Sequence, residues 1–187
     1  VINSVVHMLA RPSENDKQNI DQDILLDYSL RFNPDIIAVG EMRGPEAYTA
    51  QEASRTGHTV LTTIHSNSCE STYNRMVTLC KRKVDMGDET LYGLVTEAFP
   101  LIVYCKQLEN RERKIMEIQE CEIKPNGERV IRPLYRYDIC ENRYENGKLI
   151  IRGEHKIIND ISDSLKKRLV DNGMPSSTLE KFTKGMM

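Results

Sequence analysis

The sequence has no tryptophan, and no apolar run near the ~20 residues that a membrane-spanning helix needs. Its longest apolar stretch, AFPLIVYC at 98–105, is too short for that and reads as a buried strand. CxxC spacing is absent. The five cysteines, at 69, 80, 105, 121 and 140, are odd in number and scattered. That pattern argues against a zinc knuckle or a disulfide frame and for the reduced thiols of a cytoplasm. An excess of positive charge is also missing: 26 basic side chains face 28 acidic ones, for a net charge of −2. With no basic stripe, nucleic acid is not expected as a direct partner. The opening VINSVVHMLARP lacks the basic start and small-residue cleavage site of a secretory signal. The first residue is valine, not methionine, which reads as a fragment of something longer.

What is present is ordinary globular composition, 39% hydrophobic and 29% charged, in 187 residues. That length holds one domain with a core and an appendage. VVHML (5–9) reads as a short strand. ILLDYSLRF (24–32) spaces its apolar residues as an amphipathic helix, stopped by Asn33-Pro34. DIIAVGE (35–41) is a continuous apolar run bounded by charges, as in a central strand buried on both faces. Pro45 suits the first turn of a helix through EAYTAQEASR, and Gly57 falls just past its end. TVLTTIHS (59–66) reads as a second buried strand. Ser68 or Ser71 can cap a helix running to about Lys83, and Asp88 another ending near Phe99-Pro100. LIVYC (101–105) reads as a third strand. Strands alternating with helices predict a mostly parallel sheet with helices on its faces.

After residue 106 the pattern changes. MEIQECEIK, VIRPLYRYDIC and KLIIRGEH alternate apolar and polar residues, separated by the turn signals Pro-Asn-Gly (125–127) and Glu-Asn-Gly (145–147). These predict an antiparallel meander. SDSLKKRLVDNG (162–173) reads as a helix, and Ser177 with Glu180 has capping-box spacing at the start of a last one. The expected division is 1–105 for the α/β core, 106–155 for the β appendage and 156–187 for a helical tail.

GHTVLTTIHS (57–66) places His58 and His65 seven apart. On a strand that spacing puts them on opposite faces, and on a helix a shared metal would need three or four. No cysteine or carboxylate completes a metal set. The strand tips are more informative. Glu41 ends one apolar strand, and His65 ends the next with Ser66 and Ser68 beside it. In open α/β sheets, ligands bind at the C-terminal ends of the strands. A carboxylate there can polarise a water or hold a water bound to Mg²⁺. The bland reading of Glu41 is a solvated strand end or a salt bridge to Arg43.

The order of these residues resembles one family. LRFNPDIIAVGEMRGPEAYTAQEASRTGHTVLTTIHSNS (30–68) is similar to the Walker B strand LRxxPDxIxxGExR, a helix, and the His box TGHxxxxTxHxNS of the type II/type IV secretion ATPases. The pieces are Leu30-Arg31, Pro34-Asp35, Gly40-Glu41, Arg43, Thr56-Gly57-His58, Thr62 or Thr63, and His65 through Ser68. RP at 11–12 and the HSNS ending look most like the Tad-pilus and conjugation branch. The resemblance covers 1–105 well and the rest more loosely. It implies a RecA-like ATPase core using ATP and Mg²⁺, assembled as a hexameric ring on the inner-membrane platform of a secretion or pilus machine, and cytoplasmic, peripheral to that membrane. It makes Glu41 the Walker B carboxylate and sets His65 near the γ-phosphate. It also matches Arg11 and Arg31 to family arginines that can stabilise charge on a transferring phosphoryl group. Arg43 and Arg55 are assigned to subunit or domain contacts.

The family's Walker A loop, G-x-x-x-x-G-K-[ST], is not in these 187 residues. The only Gly-Lys, at 147–148, is followed by Leu149 and lies in the meander. In the family the loop precedes this region, so the chain is expected to be the C-terminal part of a longer ATPase and inactive alone. A non-catalytic docking or regulatory subunit is the alternative.

Overall fold

The computed structural model describes residues 4–15 and 17–183. The chain divides into two compact units, residues 1–66 with 72–98, and residues 67–71 with 99–187. The fold is mixed α/β, with one parallel and one antiparallel sheet.

In the first unit, α1 (Gln22–Ser29) begins where the Asp21 carboxylate accepts the Ile24 N–H at 2.9 Å. A 3-10 turn, Leu30–Phe32, follows, and Asn33 ends it in the left-handed region at φ 48°. Asparagine tolerates that conformation better than most residues, and Pro34 forbids further helix. β1 (Ile36–Val39), α2 (Glu46–Arg55) and β2 (Thr59–Thr62) then form a β-α-β crossover. The strands pair in parallel from Ile36 opposite Thr59 to Val39 opposite Thr62. α2 presents Ala47, Ala50 and Ala53, all buried, at helical spacing. Such small side chains let α1 and α4 (Asp88–Ala98) approach its axis closely. The Ser54 hydroxyl donates to the Ala98 carbonyl at 2.7 Å, fixing the end of α4. α3 (Cys69–Cys80) adds Tyr73, Met76, Val77 and Leu79 to the buried set.

Three sequence expectations are corrected here. Residues 4–10 form no strand, and Val5, Val6 and Leu9 are exposed. A β-prone segment is a strand only where a partner pairs with it, and this one reaches only an isolated bridge between Arg11 and Ile20. β1 and β2 are not buried on both faces: Ile37 is buried, but Ile36 is 53% and Leu61 58% exposed. Among the described residues, cover lies on one face of this two-stranded sheet. Leu101–Gln107 is not a third parallel strand either; it pairs antiparallel. Its apolar run suits either sheet, and the hairpin after it decides.

The second unit is built on β3 (Leu101–Gln107), β4 (Arg113–Ile123), β5 (Arg129–Glu145) and β6 (Lys148–Ile157), an antiparallel meander in chain order. Asn146 and Gly147 both have positive φ, 50° and 76°, and Glu145 pairs with Lys148 across them. That is the two-residue hairpin turn whose twist matches the strands. α5 (Asp163–Asp171) is capped by Ser162, whose Oγ accepts the Leu165 N–H at 3.1 Å. The buried Glu120 carboxylate of β4 accepts the Ser162 N–H at 2.8 Å and the Ser162 hydroxyl, tying the helix start to the sheet. α6 (Ser176–Thr183) starts two residues earlier than the Ser177 cap predicts. The Pro175 carbonyl accepts from Thr178 and Leu179, so Ser177 lies inside the first turn.

Gly153 on β6 is covered by the Tyr137 ring of β5. An added Cβ would stand 2.4 Å from the Asp138 carbonyl oxygen and 2.6 Å from the ring. The Asp138 contact is with backbone, which cannot rotate away. Gly153→Ala is therefore expected to destabilise this unit by about 1–3 kcal/mol, as overpacking does. A calorimetric melt within the error of the parent would contradict this packing.

Candidate functional site

β1 and β2 run parallel, so their C-terminal ends lie on one edge of the sheet. Pairing continues past the last strand residues. The Met42 N–H donates to the Thr63 carbonyl at 2.8 Å, and the Thr63 hydroxyl to the Gly40 carbonyl at 2.6 Å. This draws Glu41 and His65 together although 24 positions separate them. His65 Nε2 lies 3.3 Å from Glu41 Oε1. The imidazole is 88% exposed, and the carboxylate only 20%.

Glu41 also forms an ion pair with the Arg43 guanidinium. The hydrogen bond from Arg43 is the largest influence on its carboxyl, holding it below the ordinary glutamate value. The charges of Arg43, His65 and Arg75 act in the same direction, and partial desolvation opposes them. Glu41 is thus ionised throughout the neutral range. An anionic carboxylate beside an exposed imidazole can accept a hydrogen bond from water or hold a hydrated cation. Its lowered proton affinity makes it a better orienting group than a strong base.

Arg11 and Arg31 are not brought to this pair. The backbone of Arg11 exchanges hydrogen bonds with Ile20, at 2.7 and 3.0 Å. The Arg31 guanidinium sits 5.9 Å from the centre of the Tyr28 ring. Neither makes an ion pair or hydrogen bond with Glu41 or His65. Arg55 links Glu52 and Glu97, each at 3.1 Å, and so ties α2 to α4. The Ser68 hydroxyl accepts the Ser71 N–H at 3.1 Å, and the Ser71 hydroxyl accepts the Ser68 N–H at 3.0 Å. Ser68 is therefore engaged at the start of α3. His58 precedes β2, and its buried Nδ1 has no hydrogen-bond partner. Among the described residues, no cluster of three or more His, Cys, Asp or Glu side chains could hold a metal ion by itself.

The sequence left two places for Arg43, a contact between subunits or domains and a salt bridge to Glu41, and in the structure it pairs with Glu41. The Glu-x-Arg spacing was the available signal. Sequence reasoning also passed over Gln22, Glu46 and Arg82, which hold the backbone around Glu41. No local pattern marks them, because Gln22 and Arg82 come from α1 and from the turn after α3.

An α/β unit that gathers a carboxylate and an imidazole at the C-terminal ends of adjacent parallel strands has the layout of a ligand site of the open α/β class. The comparisons narrow that class. The chain belongs to the type II/IV secretion system protein family, whose sequence model matches residues 3–181. It is 34% identical over 113 residues to the competence protein ComGA of Halalkalibacterium halodurans, covering 53% of this chain and 32% of that one. It is 41% identical over 66 residues to the type IV pilus assembly ATPase PilB of Pseudomonas aeruginosa, covering 35% and 12%. Among solved structures, the VirB11 ATPase of the Brucella suis type IV secretion system, in complex with sulphate, superposes with a TM-score of 0.49 at 26% identity, covering 51% of this chain and 30% of that one. The chain spans about a third or less of the length of these relatives.

Arg43→Ala is expected to raise the Glu41 titration midpoint toward the ordinary glutamate value, as followed by carboxyl-carbon NMR. Because the folded-state value is depressed, whatever stability the pair contributes is present above the ordinary glutamate range and is lost as pH falls through the folded-state value. A midpoint unmoved by Arg43→Ala would show that Arg43 does not set the charge on Glu41.

Proposed function

We propose that the chain is the part of a secretion, pilus-assembly or conjugation motor ATPase that carries the Walker B carboxylate and the His box. The observation that supports this most directly is the 3.3 Å contact between His65 and Glu41 at one edge of the parallel pair. Family membership and the motif spacing over 30–68 agree with it.

In this reading Glu41 would hold the hydrated Mg²⁺ and orient the attacking water, and His65 would report the γ-phosphate. Mg²⁺ is held in nucleotide sites by one or two carboxylates, the substrate phosphates and retained waters. A single ionised carboxylate at a strand tip fits that mode of binding through water, so Glu41 is the residue that would hold the ion. The metal supplies charge neutralisation on the phosphates when bound. Glu41 contributes orientation, since its charge is fixed at neutral pH. His65 contributes a hydrogen-bonding ring that is open to solvent. Arg11 and Arg31 are assigned to the transferring phosphoryl group by family resemblance alone. The working assembly is a hexameric ring peripheral to the cytoplasmic face of the inner membrane, docked on a membrane platform and making no direct contact with nucleic acid. No described helix is long and apolar enough to cross a membrane. We divide the chain into an ATPase core portion over 1–105, a β appendage over 106–155 and a helical tail over 156–187.

A second reading, a non-catalytic docking or regulatory subunit, is favoured by two observations. No G-x-x-x-x-G-K-[ST] loop is present in these 187 residues, and Arg43 already occupies Glu41.

The test is a titration of this chain with a fluorescent ATP analogue and Mg²⁺, beside hydrolysis by a longer form that carries a Walker A loop. The chain itself is expected to show no saturable binding at submillimolar nucleotide and no hydrolysis. In the longer form, Glu41→Gln is expected to lower kcat by about a hundredfold or more. Hydrolysis indifferent to Glu41→Gln would remove Glu41 from the reaction and sink this site assignment, and a longer form that does not hydrolyse ATP would leave the docking subunit.

A further inference from the structure

The segment from Gly40 to Gly44 belongs to no helix or strand, yet its backbone is held almost group by group. The Gly40 carbonyl accepts from the Thr63 hydroxyl at 2.6 Å. The Glu41 carbonyl accepts from the Gln22 side-chain amide at 3.0 Å, with that amide turned nitrogen-inward. The Met42 N–H donates to the Thr63 carbonyl. The N–H groups of Arg43 and Gly44 both donate to Glu46 Oε1, at 2.5 and 2.8 Å. The Arg43 carbonyl accepts from Arg82 Nη1 at 2.8 Å.

Two of these partners are unusual. Glu46 is the first residue of α2, where a carboxylate ordinarily sits in solvent beside the helix dipole. Here it is only 5% exposed and turns back on the turn that precedes the helix. Gly44 leaves room for it: a Cβ there would stand 2.9 Å from Glu46 Oε2. A buried carboxylate is costly unless hydrogen-bonded, so two backbone donors and the Gln22 amide, 3.2 Å from Oε1, account for its presence. Arg82 holds the other side of this turn, donating to the Arg43 carbonyl from 39 positions away.

Building on the nucleotide-site reading above, we infer that Glu46 and Arg82 are positioning residues that clamp the backbone of Arg43, one at its N–H and one at its carbonyl, and so hold the Glu41–Arg43 pair in its working geometry. Neither touches Glu41 through its own side chain. Each acts by restricting where the Arg43 guanidinium and the Glu41 carboxylate can go. Displacement of a reacting group by about 1 Å costs up to about a hundredfold in rate, so loss of the clamp lowers turnover while leaving nucleotide capture intact.

The experiment is Mg-ATP hydrolysis by the full-length protein in its native assembly, with Glu46→Ala, Glu46→Gln, Arg82→Met and, as reference, Glu41→Gln, each with a thermal melt. Glu46→Ala is expected to lower kcat about tenfold to a hundredfold, with KM within about twofold. Glu46→Gln keeps Oε1, the atom that accepts both N–H groups, and is expected to restore kcat to within about threefold of the parent. Arg82→Met replaces an exposed side chain and is expected to lower kcat about two- to fivefold without moving the melt.

A parent-like kcat per folded molecule in Glu46→Ala overturns the proposal. If Glu46→Ala does not fold, Arg82→Met decides: an unchanged kcat overturns the clamp, and a reduced one at constant KM supports it. If Glu41→Gln leaves hydrolysis intact, the nucleotide-site reading fails, and the clamp's catalytic role with it. If Glu41→Gln abolishes hydrolysis while Glu46→Ala and Arg82→Met do nothing, the clamp alone is wrong.

Discussion

Parallel strands cannot be joined by a tight turn, and the first unit is organised by that constraint. Pairing Ile36–Val39 with Thr59–Thr62 requires a crossover, and α2 supplies it. The crossover sends both strands out at the same edge, so residues far apart in sequence meet there. It also sets what α2 must be. A helix lying against β2 with α1 and α4 on its other sides needs a narrow face, and Ala47, Ala50 and Ala53 give it one. Glu41 and His65 meet because the strands are parallel, and the strands can be parallel because this helix fits.

Two buried carboxylates, one in each unit, answer the same physical problem in the same way. Glu46 accepts two backbone N–H groups at the turn into α2. Glu120 accepts the backbone N–H and hydroxyl of Ser162 at the start of α5. Among the described residues, neither forms an ion pair. Both place negative charge near a helix N-terminus, where the helix dipole favours it, and both fix the angle at which a helix leaves its neighbour. Glu41 differs in kind. It is partly solvated and is paired with the Arg43 guanidinium rather than with backbone donors.

The antiparallel sheet was legible because its turns are local. Pro-Asn-Gly and Glu-Asn-Gly mark hairpins whose geometry is set within four residues. Two helix ends of the first unit were legible for the same reason: Asn33-Pro34 and Gly57 mark them, whereas the Asp21 cap came from the structure. The misread strands were all questions of partnership. VVHML has strand composition and no strand beside it. LIVYC has the apolar run of a parallel strand, but the chain after it folds straight back. Nothing in the composition of DIIAVGE says whether one face or two will be covered.

Spacing in the sequence determined that Glu41 and His65 end successive apolar strands, and the motif order around them determined the family. Hydrophobic periodicity and turn chemistry act over a few residues, so they are written locally and can be read locally. Only the tertiary structure decided which of the two readings of Arg43 holds, that Arg11 and Arg31 lie away from the Glu41–His65 pair, and that Gln22, Glu46 and Arg82 hold the loop after β1. Those contacts depend on where whole elements come to rest. Arg82 reaches the Arg43 carbonyl because α3 brings the chain back past that turn, and no pattern within either segment encodes that meeting.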